Sequence, residues 1–424
     1  MPKDISTKPP QHPQIPTRTA IRLLEEGGAT IDTGSVPDPD VLQICRTKVT
    51  RDGDVLPIKT FRNLCLILDQ DHRLKGRIRF NELLGQPTID EVPTTDLDDL
   101  KIAAMVERIY QIQFEPTKIA NAVRFVADRH SHHPVCDYLD GLEWDEQSRL
   151  DRLLVTYFGA EDTKLNRVIG RKFAISMVAR ARKPGCKVDT CLILAGRQGI
   201  RKSSGLRALS GEEYFSDTLL DVRHKDALMQ IRGVWCYELS ELDSMRRSEV
   251  SAVKAFVSAQ FDRYRSSYGR HVEKHPRTGV FVGTSNETEF LTDSTGSRRW
   301  WVARCNNVNL EGMQADRDQI WAEADTAYKA REPWWLDDQA DVDLNESNAV
   351  HHVDDPWAEI IDVWLESTTG PVRLENVMRG ALHIETDRMK TADQWRVGRV
   401  LRQLGLTKRQ IMKDGKRSMM WVRR

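Results

Sequence analysis

The sequence predicts an α/β fold: a parallel sheet in the middle of the chain, a mainly helical region before it and a winged helix-turn-helix after it. Three observations predict this. Short apolar runs at 188–195, 234–237 and 278–283 each lead into polar residues and alternate with helical patterns, as parallel strands joined by crossover helices do. Upstream of Pro184-Gly185 the apolar residues recur at helical spacing. Beyond Asp355-Pro356, three helical patterns are followed by two strand-like runs around Asp414-Gly415.

Taken in order, residues 1–50 read as a largely flexible tail, rich in Pro, Thr, Gly and Asp, with one short helical pattern at 19–26. Residues 51–185 read as a mainly helical, collar-like domain. Its helices fall near 58–68, 100–112, 116–127, 150–158 and 163–182, with a short strand at 77–80 and a turn-rich acidic loop at 86–99. The sheet occupies 186–305, and a helical segment with an acidic linker covers 306–355. The winged helix spans 356–424, with helices at 358–365, 374–382 and 392–404 and strands at 408–412 and 418–423.

The composition fits a globular protein: 40% of the 424 residues are hydrophobic and 30% charged. No run approaches the ~18 apolar residues of a membrane helix, and the Pro-rich N-terminus lacks the apolar core of a secretory signal. Seven cysteines lie scattered with no CxxC pair, which predicts reduced thiols and a cytoplasmic location and argues against a disulfide scaffold or cysteine zinc site. Lys+Arg and Asp+Glu both number 63, but they are unevenly placed. Residues 332–372 hold eleven acids and no Lys or Arg, whereas 395–424 hold ten Lys/Arg against the single Asp414. The basic block marks a nucleic-acid candidate surface.

Between the first strand and the next helix lies Gly196-Arg197-Gln198-Gly199-Ile200-Arg201-Lys202-Ser203-Ser204. This is the context of a phosphate-binding loop: turn and helix N–H groups face the phosphates, Lys202 reaches the β and γ oxygens, and Ser203 ligates Mg²⁺. The candidate nucleotide contacts are Gly196, Gln198, Gly199, Ile200, Arg201, Lys202, Ser203 and Ser204. Arg201 stands where the motif has its second glycine; a positive φ there costs ~1–2 kcal/mol for a non-glycine residue. Taken alone, the loop is also compatible with an ordinary basic strand-turn-helix. Glu238 ends the second strand, with Glu241 three residues on; both can hold Mg²⁺ through water and orient a nucleophilic water, or simply start a solvated helix. Asn286 follows the third strand and can sense a γ-phosphate, or be a turn residue. Arg298 and Arg299, before another apolar strand, can neutralise transition-state charge in cis or from a neighbouring subunit, or serve as surface ion pairs.

Several motifs together resemble the virulence-associated protein E family, which looks like superfamily 3 helicases and poxvirus D5-type ATPases of phages, satellites and plasmids. They are His133-Pro134-Val135, Leu142-Glu143-Trp144-Asp145, Pro184-Gly185-Cys186-Lys187-Val188-Asp189, the Gly-Arg-Gln-Gly loop, Gly233-Val234-Trp235, Glu238-Leu239-Ser240-Glu241, Asp262-Arg263-Tyr264-Arg265, Gly283-Thr284-Ser285-Asn286 and Gly296-Ser297-Arg298-Arg299. The likeness covers roughly residues 55–305. It implies a P-loop AAA+ core, superfamily 3 helicase-like, in a ring that is commonly a hexamer, with ATP between subunits. Lys202 and Ser203 then correspond to the Walker A pair, Glu238 and Glu241 to the Walker B acids, Asn286 to sensor 1, and Arg298 or Arg299 to the finger. A DNA-gripping hairpin is expected within 262–277, with Arg265, Tyr268, Arg270 and Lys274 as contacts to a single strand in the pore. About 50 residues precede the resemblance, too few for the primase many relatives carry, so a separate primase or initiator is an expected partner.

In the terminal module Arg396, Arg399 and Arg402 are the expected duplex phosphate contacts; a basic helix docking on the acidic stretch is the alternative. His130, His132 and His133 lack a partnering Cys or acid pair at ligand spacing and read as structural, as do most tryptophans. Three functions follow in order: an ATP- and Mg²⁺-dependent DNA translocase or replicative helicase without a membrane role; a nucleotide-dependent DNA-binding initiator with weak hydrolysis because of Arg201; and a scaffold with an inactive loop.

Overall fold

A computed structural model describes residues 36–222, 224, 226–240, 247–265, 272–286, 297–349, 356–368, 370–413 and 416–423. The chain divides into two compact units, Met1–His351 and His352–Arg424.

The first described element is helix α1 (Pro39–Ile44), followed by a small hairpin of β1 (Thr47–Val49) and β2 (Val55–Pro57). Helix α2 (Phe61–Gln70) is capped by Thr60, which accepts from the Asn63 N–H. Residues 86–93 and 131–132 depart from the mainly helical reading, adding strands to the one expected at 77–80. Strands β3 (Ile78–Asn81), β4 (Gln86–Ile89), β5 (Val92–Pro93) and β6 (Ser131–His132) form a four-stranded sheet in the order β5-β4-β3-β6. The acidic loop expected at 86–99 contains the β4–β5 hairpin. Its two turn residues, Asp90 and Glu91, both have positive φ, 54° and 67°. Such turns favour Asn-Gly, so Asp-Glu gives no hairpin signal in the sequence. Ion pairs from Arg77 to Asp90 and from Arg79 to Glu91 stabilise the turn instead. Helices α3 (Asp96–Tyr110) and α4 (Pro116–Asp128) join α2 in a core containing Leu64, Met105, Tyr110 and Val123.

Helix α5 (Pro134–Asp140) leads through 3₁₀ and π turns at 150–157, expected as an α-helix, to α6 (Lys164–Arg182). The second sheet then builds from β7 (Cys191–Ala195), β8 (Phe215–Ser216), β9 (Cys236–Leu239), β12 (Val280–Ser285) and β13 (Trp300–Arg304), all parallel, in the order β13-β7-β12-β9-β8. Between β9 and β12 lie α8 (Arg247–Ser258) and a hairpin of β10 (Phe261–Tyr264) and β11 (Glu273–Pro276). After β7 comes α7 (Lys202–Ser210), and after β13 comes α9 (Leu310–Lys329).

Alternation along β7 sorts the sheet into two faces. Leu192 and Leu194 pack in the core with α6, α7 and α9, while Cys191, Ile193 and Ala195 face the layer containing α8. Trp235 and Trp321 meet at 4.4 Å between ring centroids, both fully buried. Their indole N–H groups donate to Met177 O (2.9 Å) on α6 and Leu209 O (2.8 Å) on α7, so neither ring strands a buried donor.

The acidic stretch expected as a linker is, over much of its length, helix α10 (Asp338–Ala349). Leu344 is fully buried, and the buried Asn348 side chain donates to Trp300 O at 2.9 Å. Glu332 is held by Arg171 and Lys172. The local charge concealed an apolar stripe too sparse to recognise without its partners.

The terminal unit comprises α11 (Pro356–Glu366), α12 (Leu374–Gly380), α13 (Thr391–Gln403) and a hairpin of β14 (Leu406–Lys413) and β15 (Lys416–Arg423). Val372 bridges antiparallel to Trp421 on the outer side of β15. Ile361, Val377, Val397, Leu401 and Trp421 form this unit's own core.

Candidate active site

Three neighbouring parallel strands end together, and the polar residues at their C-terminal ends converge. The loop after β7 is tight because Gly196 N–H bonds to Ser285 O (3.1 Å) while Cys305 N–H bonds to Ala195 O (2.7 Å). A Cβ on Gly196 would lie 2.3 Å from Cys305 O, so only glycine fits. Gly199 takes φ 84° and Arg201 takes φ 67°, ψ 34°. Arg201 thus occupies a left-handed position, at the cost weighed from the sequence.

Lys202 opens α7 and is buried. Its ammonium donates to Gly196 O (2.7 Å), Arg197 O (3.1 Å) and Asn286 Oδ1 (3.2 Å), so the positive charge sits at the centre of the loop and touches the end of β12. Ser203 donates to Glu238 Oε1 at 2.8 Å. Thr284, not among the site residues the sequence singles out, donates to the same oxygen at 2.6 Å. Period-two alternation puts Thr284 on the strand face of Asn286, a signal available in the sequence. Glu238 is 2% exposed and its Oε2 is buried without a partner. Two hard oxygen donors, one an orphaned carboxylate oxygen, suit Mg²⁺. Burial pushes the nearby Cys305 thiol up to about 12, against the pull of Lys202. Gln198, Arg201, Ser204 and Asn286 are exposed at the loop rim, while Ile200 packs back on the core.

Glu241 lies outside the described residues. Arg298 and Arg299 do not join this cluster within the subunit. They precede β13, whose Trp300 pairs with Cys191 at the start of β7, so they sit at the opposite end of the sheet, roughly 16 Å along the strands. The Arg299 Nε donates to Ser258 Oγ at 3.0 Å, while Arg298 is exposed. Helix α10 packs against their turn; burial pushes the Asp341 carboxyl above its ordinary range, against the opposing pull of the Arg298 charge.

The β10–β11 hairpin has two unlike faces. Phe261, Arg263, Arg265, Val272 and Lys274 are exposed on one. Asp262, Tyr264 and His275 face inward, where Tyr264 and His275 rings lie 4.3 Å apart. Lys274 sits 3.7 Å over the Phe261 ring. Arg263, absent from the sequence-derived candidates, lies directly across the ladder from Lys274, and like charges so placed repel unless an anion joins them. At the root, Arg277 makes a buried bidentate pair with Asp262 (2.8 Å twice). Tyr268 and Arg270 lie outside the described residues.

In the terminal unit, Arg396 stacks 3.8 Å over Trp357 and Arg402 donates to Gly398 O (2.9 Å) beside Trp421. The two guanidinium groups therefore reach different neighbours. The Arg399 side chain is outside the described set. His130 and His132 pair with Asp69 and Glu91, both at 2.6 Å, and act structurally.

The virulence-associated protein E-like domain family matches residues 139–353, half of the chain, and the chain belongs to it. The match extends past the expected boundary at 305 and begins later than residue 55. No curated protein matches. Among solved structures, two A-form apo structures of the NrS-1 C-terminal region are similar, with TM-scores of 0.39 and 0.40 and 14% and 13% identity; each match covers 67% of this chain and 77% of the other. A further apo structure of that region has a TM-score of 0.38 at 14% identity, over the same shares. Among the described residues no helix is long and apolar enough to cross a membrane.

Proposed function

We propose that this chain is an ATP-dependent DNA translocase or helicase acting in replication of a phage, satellite or plasmid-like element. The convergence of Lys202, Ser203, Glu238, Thr284 and Asn286 at the ends of β7, β9 and β12 carries this reading. The strand order supports an AAA+ P-loop core, and the three helices with a hairpin support a winged helix.

In this reading Lys202 and the first turn of α7 bind the nucleotide phosphates. Ser203 and Glu238 hold Mg²⁺, which supplies charge neutralisation at the phosphate oxygens. Glu238, with Glu241, orients the attacking water, and Asn286 positions it against the γ-phosphate. Arg298 and Arg299, remote from their own loop, serve a neighbouring subunit, which fits a ring such as a hexamer. The exposed hairpin face with Arg263, Arg265 and Lys274 contacts a single DNA strand.

The decisive experiment compares DNA-stimulated ATP hydrolysis of the native chain with Lys202→Ala. Hydrolysis that disappears in the variant supports the proposal; equal rates sink it. The second reading, a nucleotide-dependent initiator with little turnover, draws on the left-handed Arg201 and predicts ATP binding and assembly without DNA-stimulated hydrolysis.

A further inference from the structure

The terminal unit contains a groove that shares only Arg402 with the duplex reading. It lies between α13 and the start of β14, with a volume of about 820 Å³, within the range of pockets that enclose a nucleotide-sized ligand. Leu374, Leu406 and Trp421 give it an apolar floor, Trp395 forms one wall, and Arg402 and Lys408 stand at its rim; among the described residues no carboxylate lines it. Trp395 is 72% exposed, the highest value among the tryptophans of the described residues whose exposure is large.

Three details point to the occupant. Arg402 is fixed by its bond to Gly398 O and lies 5.9 Å over the Trp421 ring, so a cation is held beside an aromatic surface. Thr407 Oγ1, on the wall, is buried without a hydrogen-bond partner. Gly398 sits mid-helix without a positive φ, a placement that costs about 1 kcal/mol relative to alanine; a Cβ there would stand 3.4 Å from Trp421. A methyl group there would rest in ordinary contact with Trp421, Leu374 and Arg402, so the glycine leaves that much of the groove open.

An indole presents one donor and no acceptor, so Trp395 reads base edges poorly. Its face stacks on a base face, and duplex bases have theirs covered by their neighbours. A cation-rimmed, aromatic, carboxylate-free groove therefore matches unpaired nucleotides: phosphates against Arg402 and Lys408, bases against Trp395. We infer that the α13–β14 groove binds unpaired DNA, so that the terminal unit recognises a fork or single-stranded end. This rests on DNA being the partner, but not on ATP hydrolysis.

The test uses the full chain without nucleotide. Oligo-dT carrying 4-thiothymidine is photocrosslinked and the attachment sites are mapped by mass spectrometry; fork and blunt-duplex affinities are measured by fluorescence anisotropy. Expected are crosslinks on the peptides bearing Trp395 or Trp421. Trp395→Ala should weaken fork binding about tenfold and leave blunt duplex nearly unchanged, with Trp395→Phe restoring most of the loss. Crosslinks confined to the 261–276 hairpin, or equal losses for fork and blunt duplex, overturn the inference while leaving the proposed function standing. Absence of any crosslink or DNA binding overturns both.

Discussion

Ser203 donates its hydroxyl to Glu238 Oε1, and the second oxygen of that carboxylate is buried with no hydrogen-bond partner. The pair joins a helix start to the end of a strand two positions away in the sheet, with Thr284 from the strand between them completing the contact. The carboxylate oxygen without a partner is an acceptor open to a cation or water.

Replacing Glu238 by Gln should therefore leave ATP affinity within a few fold and lower hydrolysis by about 100-fold or more, because the water-orienting charge is lost. Thr284→Val should give a smaller loss, with Mg²⁺ dependence shifted to higher concentration. Titrated nucleotide binding and steady-state rates separate these effects; a proportional fall in affinity would remove Glu238 from the catalytic role.

Arg201→Gly should stabilise the fold by about 0.5–1 kcal/mol, the strain of ~1–2 kcal/mol being offset in part by the added freedom of glycine when unfolded. Thermal melting in the absence of nucleotide measures it. A simultaneous rise in hydrolysis would identify Arg201 as a brake on turnover, whereas an unchanged rate assigns it no such role.

Because Arg298 and Arg299 lie at the far end of the sheet from their own Lys202, activity lost in Arg299→Ala should partly return when that variant is mixed with Lys202→Ala. Only interfaces combining one variant's loop with the other's arginines are intact. No recovery under conditions of subunit exchange would argue against action between subunits.

Asp262→Asn should leave the Arg277 guanidinium buried without its counter-ion, a change costing about 3–5 kcal/mol. The effect should appear first as loss of amide-exchange protection over Phe261–Tyr264 and Glu273–Pro276, with single-strand binding falling as the hairpin loosens.

His133 caps α5, accepting from the Cys136 N–H at 3.3 Å, and burial pulls its pKa down to about 4. The folded group stays neutral while an unfolded histidine takes a proton near 6.5. Stability is thus present above pH 6.5 and is lost as pH falls from 6.5 towards 4, by about 3 kcal/mol in all. His133→Asn retains a capping oxygen and should flatten this segment of a stability-against-pH curve from chemical denaturation.

Much of this was legible in the chain. Strands β7, β9 and β12 stand out as apolar runs followed by polar ends, and their buried, continuous character is what a parallel sheet requires. Lys202, Ser203, Glu238 and Asn286 were readable as polar residues at or just after the ends of apolar strands. The β4–β5 hairpin was not: Asp90-Glu91 violates the turn preference and depends on Arg77, Arg79 and His132, which approach from other segments. Helix α10 was hidden for a similar reason, since Leu344 and Asn348 acquire meaning only against β13.

The sequence by itself determined the alternation of strands and helices around β7, β9 and β12, the glycine-containing turn after β7 and the separation of an acidic stretch from a basic terminus, because these are set by local periodicity and residue type. Only the tertiary structure decided which of those residues meet. It brought Thr284 to Glu238, set Arg263 against Lys274, sent Arg298 and Arg299 away from their own loop, and left Trp395 open beside Trp421. Contacts of that kind depend on strand order and register, and neither is encoded in any single segment of the chain.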